Sequence, residues 1–195
     1  TKSNEVKIEG EKSSNVHFAI DFLTGIQKRN LGNKNAQYIN VEDKKVVVIG
    51  GGDTAMDCVR TSVREGATSV KCLYRRDEAN MPGSKKEVVN AKEEGVEFVF
   101  NVSPKSIKLE NDLAIAVELL ETSMSEADSS GRQKVVINEG SEYLEDADII
   151  ILALGFSPEV PAFLKELIVE TNSWGAVVID AKFKTSNKKV YAGGD

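Results

Sequence analysis

The 195 residues carry 25 basic and 31 acidic side chains, a formal charge of −6, with 41% hydrophobic and 29% charged residues. That balance fits an ordinary globular protein and argues against a general binder of nucleic acid or anionic membrane, while a local basic site stays open. No apolar run reaches the ~20 residues of a membrane-spanning helix, and two cysteines, Cys58 and Cys72, with a single histidine, His17, offer no zinc or iron–sulfur ligand spacing.

In chain order, residues 1–15 read as a polar tail with a short alternating patch at Val6 and Ile8. Val16, Ala19, Ile20, Leu23 and Ile26 recur near helical spacing, so a helix is expected over 16–31, with Gly32 as its stop. A turn-rich linker, NKNAQYINVED, leads to Lys45–Ile49, an apolar run typical of a buried parallel strand. Thr54 to Glu65 predicts a helix with Ala55, Met56, Val59 and Val63 on its inner face and Gly66 closing it. Ser69 to Tyr74 predicts a second strand. Ser84 is placed to cap a helix reaching Glu94, and EFVFNV is a third strand. From 104 to 146 the strand candidates SIKLE, AIAVELLE and KVVINE follow one another, separated by loops such as SEADSSGRQ, with no helix between them. Strands in succession predict a small antiparallel meander. Parallel-strand character returns at ADIIILALG, then a short helix around Pro161 to Leu167, then GAVVID and KKVYAGGD. The expected fold class is α/β, a Rossmann-like parallel sheet with an inserted antiparallel β-meander. Both ends of the chain read as cuts in a longer protein.

The turn after the first buried strand, VVVIGGGDTAMD, holds Gly50, Gly52 and Ala55 in G-x-G-x-x-A spacing between a strand and a helix. Gly50 permits the tight turn, Gly52 lets backbone approach a pyrophosphate, and Ala55 allows close helix–strand packing. Phosphates would sit over the helix N-terminus, where free N–H groups and the dipole favour anions. Asp53 could cap that helix, but its charge would lie near the ligand; a role through its backbone N–H, with Thr54 donating its hydroxyl, suits the site better.

A carboxylate at the end of the second strand would grip the ribose hydroxyls of NAD or FAD. This chain has Arg75 and Arg76 there, twenty-three residues and more past Gly52. Guanidinium groups pair bidentately with phosphate, which fits the 2′-phosphate of NADP. The competing reading is a solvated loop in which Asp77 and Glu78 neutralise the pair, or a shifted turn that brings Asp77 to the ribose.

The runs GGGDTAMDCVRTSVREGA and YRRDEANMPGSKKEVVNAKEEGVEF, with the later LALGF and YAGGD, closely resemble the NADPH-binding domain of the bacterial glutamate synthase small (beta) subunits. The amino-terminal half of dihydropyrimidine dehydrogenase and NADPH–ferredoxin oxidoreductase subunits look similar; DTAMDCVR with NMPGS favours the glutamate synthase group. The resemblance implies an oxidoreductase that takes a hydride from NADPH onto FAD. Electrons then pass through iron–sulfur clusters to a large subunit that makes glutamate from glutamine and 2-oxoglutarate. It implies that Gly50, Gly51, Gly52, Asp53, Thr54 and Ala55 line the NADPH pyrophosphate turn and that Arg75 and Arg76 hold the 2′-phosphate. It further implies that Ala153, Leu154 and Gly155 lie near the nicotinamide end and that Asp195 contacts FAD. The implied organisation is a tail, helix and linker of an adjoining FAD domain over 1–40, an NADPH-binding Rossmann-like domain over 41–185, and a return strand into the FAD domain over 186–195.

The family's cysteine-rich iron–sulfur segment and its first glycine motif are not among these residues. The chain is therefore expected to bind NADPH without retaining FAD, both FAD and the clusters belonging to the full-length protein. Hydride transfer is the cofactors' chemistry, so no acid–base residue and no metal ligand is expected. His17 reads as a surface or satisfied histidine on the first helix, Asp57 and Arg60 as an i, i+3 pair, Lys85, Lys86 and Glu87 as a solvated helix start, and Trp174 as packing or turn structure. Reduced structural thiols suggest a cytoplasmic protein. The alternatives are a related flavoprotein electron-transfer subunit or a non-catalytic module that senses NADPH.

Overall fold

A parallel sheet organises the larger of two units in the computed structural model, which describes residues 1–127 and 133–193. One unit is residues 5–154; the other joins residues 1–4 to the chain from Gly155 onward. In chain order the elements begin with β1 (Lys2–Ser3), β2 (Val16–Phe18), α1 (Ala19–Asn30), β3 (Lys45–Ile49), α2 (Asp53–Arg64) and β4 (Ser69–Tyr74). A 3-10 turn (Glu78–Asn80), α3 (Lys85–Glu93) and β5 (Glu97–Phe100) follow. The strands β6 (Val102–Glu110), β7 (Leu113–Met124), β8 (Val135–Ile137) and β9 (Tyr143–Asp146) come next, then β10 (Ile149–Leu152), β11 (Phe156–Ser157) and α4 (Ala162–Glu166).

The sheet order is β2-β10-β3-β4-β5, with every neighbouring pair parallel. Its residues alternate between two cores, as strand geometry requires. Val46, Val48, Val70, Cys72 and Ile151 join the side that carries Phe22, Ala55, Met56, Val59, Val88 and Ala91 from the three helices. Val47, Ile49, Leu73, Ile150 and Leu152 join Ile107, Val117 and Leu119 of the meander on the other side. A strand buried on both faces reads as an unbroken apolar run, which is why KVVVI looks as it does. The meander pairs β6 with β7, and β7 with β8 and β9, all antiparallel. The fold class is the one expected: a Rossmann-like parallel sheet, helices on one face and the inserted meander on the other.

Several local expectations change. Val16 to Phe18 is the edge strand beside β10, with Val16 paired to Ile150, and the helix starts at Ala19. Three residues of strand running straight into a helix leave too little alternation to separate the two. His17 thus lies on a strand, half-buried, and burial lowers its pKa while Asp21 opposes the shift. The supposed tail packs its Val6 and Ile8 against the meander-side core. Strand EFVFNV breaks at Asn101, whose φ of 57° turns the chain out of the parallel sheet and into β6. Neither GAVVID nor the residues before Gly193 form a strand; they hold isolated bridges, Thr171 to Val177 and Lys184 to Tyr191. Strand β2 and helix α1 belong to the same sheet unit as the glycine turn, and the compact units divide after Leu154. Residues 128–132 of the SEADSSGRQ loop, with Gly194 and Asp195, lie outside the described residues. No helix among the described residues is long and apolar enough to cross a membrane.

Candidate cofactor-binding site

The carboxyl ends of β3, β4, β5 and β10 lie along one edge of the sheet, and the strand order reverses between β3 and β10. Ligands of open α/β sheets bind in the crevice at such a switch point. The glycine turn leaves β3 there. Gly50 has φ 145°, and a Cβ on it would lie 2.2 Å from the Ala153 carbonyl oxygen at the end of β10. Its N–H donates to the Leu73 carbonyl at 3.0 Å, and its own carbonyl accepts the Cys72 thiol at 3.3 Å. A side chain on the buried Gly51 would meet the Tyr74 ring at 2.4 Å. Gly52, the residue before α2, has nothing within 4 Å of where its Cβ would be. The first two glycines therefore answer to the protein's own packing, and the third faces open space in front of the helix.

Ala55 is fully buried against the sheet, which seats the first turn of α2 close to β3. The N–H groups of Gly51, Gly52, Asp53 and Thr54 find no protein acceptor among the described residues, whereas Ala55 and Met56 both donate to the Gly52 carbonyl. Four consecutive free donors at a helix N-terminus form a cradle that suits a diphosphate. Asp53 does not cap α2 with its side chain. Its Oδ1 accepts the Ser84 N–H at 2.7 Å, one residue before α3. The Gly83 N–H donates to the Gly51 carbonyl at 2.9 Å, so residues 83 and 84 are clasped onto the glycine turn. A Cβ on Gly83 would lie 3.0 Å from that same carbonyl.

At the end of β4, Arg75 is exposed and Arg76 half-buried. The acids that could have neutralised them are engaged elsewhere. Asp77 accepts from the Asn80 backbone and side-chain N–H groups, both at 2.9 Å, and so caps the 3-10 turn. Glu78 pairs with Lys92 at 2.7 Å. Among the described residues neither arginine has an ion-pair partner, and the Arg76 Nε is buried without an acceptor. A buried, unpaired guanidinium donor is costly and is relieved by an anion. Tyr74 feels both guanidiniums: burial raises its pKa, and Arg76 and Arg75 pull it back. Its hydroxyl donates to the Asn80 carbonyl at 2.9 Å, which holds the 77–80 turn beside the arginines.

Ala153 and Leu154 continue β10 at the same edge, the Ala153 N–H donating to the Ile49 carbonyl at 2.9 Å. Gly155, with φ 79°, opens the other unit, and Asp195 lies outside the described residues. Tyr74 and Gly83 were missed from sequence. The only signal was their neighbourhood, the YRR and NMPGS runs, since neither residue type marks a site by itself. Asp57 and Arg60 do not pair; Arg60 reaches α3 instead, binding Glu94 at 2.6 Å and also Glu87. Glu87 is thus part of a helix–helix clamp and not of a solvated start. Trp174 stands 81% exposed in a turn closed by the Asn172 side chain, so it belongs to turn structure and not to a core. Cys58 and Cys72 are buried free thiols; burial pushes Cys72 up to about 12 and raises Cys58 further, which favours the protonated thiol in both.

The model of the pyridine nucleotide-disulphide oxidoreductase family matches residues 1–195. The chain is 46% identical to the glutamate synthase [NADPH] small chain of Escherichia coli (strain K12), over 96% of this chain and 42% of that protein. It is 43% identical to the putative oxidoreductase AegA of the same organism, over 100% of this chain and 31% of that one. It thus spans less than half the length of these relatives. Among solved structures, the thioredoxin reductase of T. acidophilum superposes with a TM-score of 0.71 at 19% identity, covering 100% of this chain and 54% of that one.

Proposed function

The chain belongs to the pyridine nucleotide-disulphide oxidoreductase family, and from that premise we propose that it is the NADPH-binding portion of an oxidoreductase that passes electrons from NADPH to FAD, the small subunit of glutamate synthase. The observation that carries the cofactor choice is the arginine pair left free while Asp77 and Glu78 are occupied. In this reading the N–H groups of residues 51–54 hold the diphosphate, and Arg75 and Arg76 hold the 2′-phosphate. Ala153, Leu154 and Gly155 line the nicotinamide end, and Asp195 meets FAD. The 1–40, 41–185 and 186–195 division then describes which segments serve the FAD and NADPH sites. The bound cofactor supplies the hydride; these residues bind it, orient it and select it by charge, with no catalytic acid or base of their own. FAD and iron–sulfur clusters belong to the full-length protein, which works in the cytoplasm with a large subunit that makes glutamate from glutamine and 2-oxoglutarate. The identity with AegA favours, as a second reading, a related flavoprotein electron-transfer subunit that uses the same module.

Calorimetric titration tests the cofactor assignment. NADPH should bind more tightly than NADH, and replacing Arg75 and Arg76 together by alanine should erase the difference. Charged hydrogen bonds contribute about 1.5–3 kcal/mol each, so the loss in NADPH affinity should be roughly tenfold or more. Equal affinities in the unsubstituted chain would overturn the assignment.

A further inference from the structure

The arginine turn is held from behind by the meander. Arg75 and Arg76 follow Tyr74, the last residue of β4, where the pairing with β3 has ended at Leu73 and that with β5 ends at Tyr74. The Arg75 carbonyl accepts the Thr122 hydroxyl at 3.0 Å, and the Arg76 carbonyl accepts the Asn101 N–H at 3.1 Å. The circuit closes because the Thr122 N–H donates to the Asn101 carbonyl at 2.7 Å. Thr122 is 5% exposed, one of three buried polar side chains among the described residues. Asn101 adopts φ 57°, a conformation that asparagine tolerates better than most residues and that brings its N–H and carbonyl into the circuit. Two hydrogen bonds therefore hold the carbonyls of the two arginines, and a third ties their donors to each other.

We propose that Thr122 is a positioning residue for cofactor selection: through the Arg75 carbonyl it holds the arginine turn in the conformation that meets the phosphate on the adenosine ribose. Thr122 touches no ligand. It acts on the backbone that aims the guanidiniums, and the inserted meander thereby sets the preference between phosphorylated and unphosphorylated dinucleotide. The inference rests on the assignment of Arg75 and Arg76 to the 2′-phosphate. Misplacing a bidentate partner by even a fraction of an ångström forfeits part of its hydrogen bonding.

The test uses the 195-residue chain and four variants, Thr122→Val, Thr122→Ala, Thr122→Ser and the Arg75→Ala/Arg76→Ala double substitution. NADPH and NADH are titrated into each by calorimetry, with thermal midpoints measured alongside. Valine keeps the shape and removes the hydroxyl; alanine removes the hydroxyl and the methyl, in case valine disturbs the core; serine restores the donor. The expected result is a loss of about three- to tenfold in the NADPH-to-NADH affinity ratio for valine and alanine, the factor that one neutral hydrogen bond converts to. NADH affinity should stay unchanged, and serine should recover the ratio. An unchanged ratio in whichever hydroxyl-free variant folds, with the arginine double substitution abolishing it, would overturn the role of Thr122 and leave the arginine assignment standing. A double substitution that keeps the ratio would overturn the arginine assignment, and this proposal with it.

Discussion

Gly50 and Gly52 are both glycines of one short turn, yet their neighbours set different demands. At Gly50 the backbone has φ 145° and the Ala153 carbonyl fills the place of a side chain, so alanine there requires both strain and displacement of β10. Gly50→Ala should cost about 2–4 kcal/mol of unfolding free energy in denaturant titration. Gly52→Ala, at φ −88° with open space around it, should stay within about 1 kcal/mol of the parent. Its effect should instead be weaker NADPH binding, because the methyl occupies the approach to the N–H cradle. A Gly50→Ala midpoint equal to the parent's would contradict this division of labour. The spacing of Gly50, Gly52 and Ala55 and the charge at Arg75 and Arg76 were legible in the sequence, because each is a local feature fixed by strand, turn and helix. The importance of Gly83 was not. It arises because Gly83 donates its N–H to the Gly51 carbonyl, thirty-two residues back along the chain, where a Cβ would come within 3.0 Å of that oxygen, a closeness that only the tertiary fold creates.

Helices α2 and α3 are joined by a charge cluster in which Arg60 binds Glu94 and Glu87, and Arg64 binds Glu94 at 3.0 Å. The hydrogen bond from Arg60, then that from Arg64, holds the Glu94 carboxyl below its ordinary value of 4.5. A carboxyl whose folded pKa is depressed stabilises the fold above its unfolded pKa, and that contribution is lost as pH falls through the folded one. The thermal midpoint should therefore fall as pH drops below about 4.5, and Arg60→Gln should flatten that part of the profile while lowering the midpoint at neutral pH. An identical acid limb in the variant would show that the cluster contributes nothing. Sequence reading gave Arg60 an i, i+3 partner, Asp57, because spacing along one helix is all that a sequence displays. Its actual partners lie 27 and 34 residues away on the next helix. The βαβ core, by contrast, was readable because doubly buried strands such as KVVVI and the amphipathic DTAMDCVR stretch carry their environment in their own pattern. Strand β2 was not, being three residues of a pattern that continues into α1.

At the scale of the molecule, burial is uneven. The unit of residues 5–154 has a core on each face of its sheet. Among described residues from 155 onward only Val169 is buried, and the backbone there is held chiefly by turns and isolated bridges. Hydrogen exchange should show the β3 and β4 amides protected close to the global limit, with amides of 158–193 exchanging orders of magnitude faster. Uniform protection across the chain would refute that contrast. Within the sheet unit, the clasp from Gly83 and Ser84 onto Gly51 and Asp53 has a thermodynamic consequence. The turn proposed to meet a dinucleotide is already ordered by bonds within the protein, so its conformational entropy is lost on folding and not at the moment of association. A ligand at this turn would have little loop to freeze, and its encounter rate would depend on diffusion and on the field of Arg75 and Arg76, which have no ion-pair partner among the described residues.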